Sequence, residues 1–117
     1  MSERELQRLG TILEKIEMIE NIVQKYSFVS KALEDELLAK PAILMHLTSI
    51  AEQFSKLRNS EIVEKFDPSD IKGAVATRNF IAHDYDGVNL SVIEMTIRER
   101  LPVVKGVIEA ILEDRNG

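Results

Sequence analysis

An all-α fold, an up-and-down bundle of about five helices, is predicted by three features of the 117-residue sequence. Apolar residues recur three and four positions apart over long stretches, the period of a helix with one buried face. Capping residues and prolines separate those stretches. No stretch alternates apolar and polar residues as a half-buried strand would. A chain of this length has room for one core, so residues 1–117 are predicted to form a single domain.

Ser2 opens the first helix. It stands three residues before Glu5, the arrangement in which a hydroxyl and a carboxylate satisfy two orphan amides of the first turn. Leu6, Leu9, Leu13, Ile16, Ile19, Ile22, Val23 and Tyr26 then draw one stripe, predicting a helix over residues 3–25. Breaks at Ser27 and Pro41 bracket a shorter helix over 28–38. A third, from Pro41 to Arg58, carries Leu44, Leu47, Ala51, Phe54 and Leu57 and is expected to lie antiparallel to the first. Proline is tolerated in a first turn because its missing amide has no helical partner there.

Asp67-Pro68-Ser69-Asp70 is the next start signal, with Asp67 as N-cap, Pro68 at the first helical position and Asp70 favoured by the helix dipole. The helix it opens is predicted to run to Asp84, and Asp86-Gly87 then supplies a turn. Asn89 caps a last helix over 90–113, buried through residues such as Ile93, Ile97, Val104 and Ile108. Pro102 lies inside it and predicts a kink.

Composition removes several function classes. The absence of cysteine excludes disulfides, Cys-ligated zinc, iron–sulfur clusters and thiol nucleophiles, and fits a cytoplasmic location. No apolar run approaches the ~20 residues that cross a bilayer, and the charged N-terminus is unlike a signal peptide, so no membrane association is expected. With four Phe, two Tyr and no Trp, base-stacking platforms are not expected. The net charge of −5 is spread along the chain with no basic arm, so any RNA contact is expected to be local or shared between chains.

The segment Arg78-Asn79-Phe80-Ile81-Ala82-His83-Asp84-Tyr85 closes the penultimate helix. It resembles the signature of the HEPN domains, Arg followed after four residues by His, in the extended HepT form with a Tyr two positions further on. The Asn after the Arg and the Leu101-Pro102 pair in the last helix fit the same pattern. Two features depart from it: Ser49-Ile50-Ala51 lacks the glycine common before the third-helix glutamate, here Glu52, and no Trp precedes the signature helix. The resemblance implies a HEPN-type homodimer formed through the motif helix. It also implies the ribonuclease toxin of a toxin–antitoxin pair whose antitoxin is a minimal nucleotidyltransferase (MNT).

The residue types suit that chemistry. Cleaving RNA without a metal or cofactor takes a base for the 2′-hydroxyl proton, a cation for the charge on the phosphorane and an acid for the leaving oxygen. An imidazole is the side chain suited to proton transfer near neutral pH, so His83 fits the base, while Arg78 offers a planar fork to phosphate oxygens. Asn79 and Asp84 are supporting candidates. Residues five apart on a helix point roughly 140° from each other. Arg78 and His83 therefore converge only if the helix ends early or if two chains build the site. Tyr85 would share the face of Arg78 were the helix to extend that far, and the resemblance implies that an MNT attaches AMP to its hydroxyl, blocking RNA.

Blander readings compete. An Arg, a His and a Tyr at a helix end can simply cap carbonyls or pack at an interface. His46 reads as a core or groove residue, and Glu52 as part of a solvated face. A second functional class also fits the motif, a non-catalytic subunit that holds a nucleotide or presents substrate to a separate nucleotidyltransferase.

Overall fold

Ser2 caps the first helix, accepting the Glu5 amide on its Oγ at 3.2 Å, and α1 runs Glu3–Tyr26. The chain continues as α2 (Val29–Glu34), α3 (Ala39–Lys56), α4 (Ser60–Val63) and α5 (Pro68–His83). A 3₁₀ turn at Tyr85–Gly87 follows, then α6 (Leu90–Met95), a π turn at Thr96–Arg100, and α7 (Leu101–Asn116). This computed structural model describes residues 2–116, and no strand occurs among them. Met1 and Gly117, the ends of the predicted domain, lie outside the described residues.

The capping box is only half made. Instead of reaching back to Ser2, the Glu5 carboxylate crosses to the end of α3, where Oε1 accepts the amides of Arg58 at 2.8 Å and Asn59 at 2.7 Å. It thereby satisfies two amides where the chain leaves α3. At the other end of α1, the Tyr26 hydroxyl donates to Asp35. That carboxylate also accepts the amides of Leu37, Leu38 and Ala39 at 3.2, 3.1 and 3.2 Å. This hub explains why α2 stops at Glu34 rather than continuing to 38: the amides that would extend it are turned onto one side chain. It also starts α3 at Ala39, two residues before Pro41.

Both ties place the start of α1 beside the end of α3 and the end of α1 beside its start, so the two run antiparallel as the stripes predict. Leu9, Ile12, Ile16 and Ile19 of α1 meet Ile43, Leu44 and Ile50 of α3, all essentially without solvent contact, and Ile93 and Ile108 close the core. Phe54 and Phe66 meet edge to face at 5.2 Å between ring centres, pinning the segment around α4, a short helix that the apolar spacing did not reveal. Asn59 caps α4 by accepting the Glu61 and Ile62 amides.

The predicted last helix is divided by a change of winding, with the π turn between α6 and α7. Pro102 cannot donate an amide bond, and the preceding turn widens so that the Leu101 amide reaches back five residues to Thr96 O. The widened turn aims Arg100 at α5, where Nε and Nη2 each meet an Asp70 carboxylate oxygen at 2.8 Å.

His46 is half-buried on α3, and burial, reinforced by Lys15, lowers its pKa below the ordinary 6.5. The unfolded chain then holds more protons than the fold as pH drops below 6.5, so stability declines with acidification in that range. A melting temperature that falls from pH 7 to 5.5 in the parent and is flatter in His46→Gln is the expected result.

Glu5 acts in the same sense at lower pH. Donation from the Asn59 amide, aided by Arg58 and Arg8 against the effect of burial, holds its carboxyl below 4.5. Its contribution is present above pH 4.5 and is lost as pH falls through the lowered value. Glu5→Ala leaves both amides unpaired and is expected to lower unfolding free energy by about 1–3 kcal/mol at neutral pH in urea titration, less for Glu5→Gln.

Candidate functional site

The helix that carries the motif begins as its sequence dictates. Asp67 caps it, its Oδ1 accepting the Ser69 amide at 2.9 Å and the Ser69 hydroxyl at 2.8 Å, and Pro68 takes the first helical position. Ser69 donation and the nearby Arg100 hold the Asp67 carboxyl below its ordinary value. The bidentate bond from Arg100 to Asp70 then fastens the first turn to the π turn.

α5 runs antiparallel to α3. Phe66, before its start, meets Phe54 near the end of α3, and Tyr85, beyond its end, meets Lys40 near the start of α3. Ile71, Ala74 and Ile81 pack partly on the core, yet no residue of α5 is fully buried. An apolar cavity of about 290 Å³ separates α5 from the last helices, with Gly73, Ala74 and Thr77 on one wall and Val92, Met95 and Val104 on the other.

Arg78 leans across to α3. Nη1 donates to Ser55 Oγ at 3.1 Å, and Nε and Nη2 lie 3.4 and 3.2 Å from Asn79 Oδ1. Ser55 Oγ in turn donates to Ala51 O at 2.8 Å, so its lone pairs are turned to the guanidinium. All of these partners are neutral. Among the described residues no carboxylate pairs with Arg78, so its charge is oriented without being neutralised.

His83 is the last residue of α5 and is exposed. The helix stays regular to that point, with the Asp84 amide still donating to Phe80 O at 2.8 Å. Arg78 and His83 thus keep the wide separation of a five-residue step, and no hydrogen bond joins them. An early irregular end to the helix, one of the two ways to bring them together, does not occur.

Asp84 breaks the helix, and its carboxylate folds back to accept the Gly87 amide at 3.1 Å. A Cβ on Gly87 would lie 2.2 Å from Asp84 Oδ2, which explains the glycine. Because the break precedes Tyr85, that residue leaves the Arg78 face. It stands instead with its ring 5.5 Å from Lys40 Nζ and 39 % of its surface exposed. The motif therefore joins Arg78 with Asn79 and sets His83 and Tyr85 apart from that pair. Ser55 and Lys40, distant in sequence, are additions that local spacing could not reveal. Glu52 is exposed, as expected of a solvated face, and among the described residues no three His, Asp or Glu side chains gather as a metal site would need.

The family model for ribonuclease HepT-like proteins matches residues 12–111, a span that contains every residue of the motif. The chain belongs to the HepT-like ribonuclease family. No solved structure matches this HepT-like chain. The coarse activity that the family supports is that of a ribonuclease.

The two tyrosines of this HepT-like protein differ in a way that chemistry can read. Tyr26 donates its hydroxyl to Asp35, which raises its pKa above 10.0, whereas the exposed Tyr85 makes no such bond. Tetranitromethane, which attacks phenolate, is expected to nitrate Tyr85 first. Peptide mass mapping of a short reaction checks this, and Tyr85→Phe should remove the fast phase.

Proposed function

We propose that this protein is the metal-independent endoribonuclease toxin of a HepT/MNT toxin–antitoxin pair, acting in the cytoplasm at a site built across a homodimer. The observation that carries the proposal is the family match over residues 12–111, joined to an Arg78 guanidinium that faces only neutral acceptors.

In one chain Arg78 and His83 point apart, and α5 has no fully buried residue with which to hide its outer face. Two copies related by a two-fold axis and meeting along α5 would place two Arg78 and two His83 around one cleft. One neutral imidazole takes the proton from the ribose 2′-oxygen, which attacks the adjacent phosphorus. A guanidinium steadies the charge on the non-bridging oxygens, with Asn79 orienting it. The bond from phosphorus to the 5′-oxygen breaks, and the second imidazole, protonated, supplies the proton that leaves with it. The products are a 2′,3′-cyclic phosphate and a 5′-hydroxyl. Asp84 supports the site by fixing the turn after His83.

Tyr85 is the modification site in this reading. The hydroxyl oxygen of this exposed residue attacks the α-phosphorus of ATP held by the cognate MNT-type nucleotidyltransferase, losing its proton as pyrophosphate leaves, and the phosphate of the attached AMP repels RNA at the cleft. The alternative, a non-catalytic nucleotide- or substrate-binding subunit of a nucleotidyltransferase, draws its support from the overall charge of −5.

The test is cleavage of a tRNA pool in EDTA by purified protein, with product ends mapped. Cyclic-phosphate ends are expected from the parent, with the rate reduced about a hundredfold or more in Arg78→Ala and His83→Ala. No cleavage by folded, partner-free protein with Tyr85 unmodified would favour the binding-subunit alternative.

A further inference from the structure

Where α1 begins and α3 ends, the fold gathers positive charge that the balance of −5 conceals. Arg4 and Arg8 from the first turns of α1 and Lys56 and Arg58 from the end of α3 line one open groove of about 620 Å³. Arg4 and Arg8 also line a neighbouring depression of about 230 Å³, so the basic surface continues around α1.

Among the described residues Glu5 is the one carboxylate lining the groove, and it is already occupied. Its Oε1 accepts two amides, and Oε2 lies 3.8 Å from Arg8 Nε. Glu3, Glu52 and Glu61 are exposed near the groove in sequence, but none lines it.

The cations themselves are under-used. Arg8 Nε is buried without a hydrogen-bond partner, while Nη1 makes a long bond of 3.4 Å to Gln53. Arg58 Nη1 donates to the carbonyls of Ser55 and Leu57 at 2.8 and 3.1 Å. Arg4 and Lys56 have no ion-pair partner among the described residues.

Ser55 connects this surface to the motif. Its Oγ accepts from Arg78 and its carbonyl accepts from Arg58, so guanidinium groups from the motif and the groove meet on one residue.

We propose that this groove binds the RNA backbone outside the cleavage site, with phosphodiesters leading away from Arg78 past Arg58 and Lys56 to Arg4 and Arg8. The inference rests on the ribonuclease reading and extends it, by assigning a second, sequence-independent contact to the same substrate. Phosphate is the group that fits. The lining carries Ser, Arg, Lys, Glu and Asn, with no aromatic side chain for stacking a base. Among the described residues it also has no apolar side chain to seed a protein interface, whose centre is normally depleted of charge. Binding through such a surface releases counterions and weakens steeply with salt.

The test is fluorescence anisotropy of a labelled single-stranded RNA over a salt series, in a His83→Ala background that stops cleavage. Arg4→Glu with Lys56→Glu reverses two exposed charges that hold no ion pair among the described residues, and Lys25→Glu in the last turn of α1 with Lys31→Glu in α2 makes the same charge change away from the groove. The groove pair is expected to weaken binding at least tenfold and to flatten the plot of log affinity against log salt by about 1.4, two phosphates at roughly 0.7 each. The control pair is expected to alter binding less than threefold, with all melting temperatures matched.

Equal affinity and slope in the two pairs would overturn the groove while leaving any cleavage by the parent intact. Loss of RNA binding in the groove pair, with a parent that never cleaves, would keep the groove and remove the nuclease reading. RNA binding retained by the groove pair while a coexpressed nucleotidyltransferase is no longer bound would make the groove a protein-docking surface and overturn the assignment to RNA. Absence of RNA binding in every form would overturn it as well.

Discussion

The bidentate bond between Arg100 and Asp70 is the constraint on which the placement of the motif depends. α5 has no fully buried side chain, and only partly buried residues such as Ile71, Ala74 and Ile81 hold it to α3. Apolar burial is the usual force that fixes a helix, and here it is weak. The gap toward the last helices is an apolar cavity rather than a packed seam. The Asp67 cap starts the helix and the Arg100 fork, meeting an Asp70 side chain that is almost entirely buried, fixes where it starts. Arg100 reaches Asp70 from the π turn that precedes Pro102, so a proline in the last helix bears on where Arg78 stands.

A helix held at one end and along one edge leaves a long face uncovered. That is a poor way to build a stable monomer and a suitable way to present a site. Phe80, two residues from Arg78, is 49 % exposed. A different side of the helix, turned to α3, carries a guanidinium whose neighbours orient it but do not cancel it.

How much of this was legible beforehand follows from the range of each interaction. The caps at Ser2, Asp67 and Asn89 are local, and each appears where the spacing placed it. The stripes on α1 and α3 and the widened turn at Pro102 are also properties of neighbouring residues. Glu5 shows where local reasoning fails: its spacing from Ser2 suits a capping box, but amides more than fifty positions away compete for the carboxylate and win. No cap or motif spacing marks Asp35, and its role as a hub appears only when Tyr26 and the α3 amides surround it. The motif residues were visible as types. Their separation into an Arg78–Asn79 pair, an exposed His83 and a Tyr85 beside Lys40 depended on where α5 stops.

Charge carries the same lesson one step further. An excess of acidic residues, 20 against 15, argued against a surface for a polyanion. The fold answers by segregation rather than by abundance. Glu20 and Lys105 pair at 2.8 Å, Glu94 holds Arg98 at 3.0 Å, and Asp70 holds Arg100, so several acids are matched with bases along the last helices. At the start of α1 the nearest lining carboxylate is turned inward to backbone amides, and the arginines beside it keep their charge. Because screening limits such fields to about 10 Å at 0.1 M salt, a phosphate at the groove responds to Arg4, Arg8, Lys56 and Arg58 far more than to acids at the other end of the bundle. Net charge is therefore the wrong scale on which to judge whether this molecule can hold RNA, and the local arrangement around Ser55 is the right one.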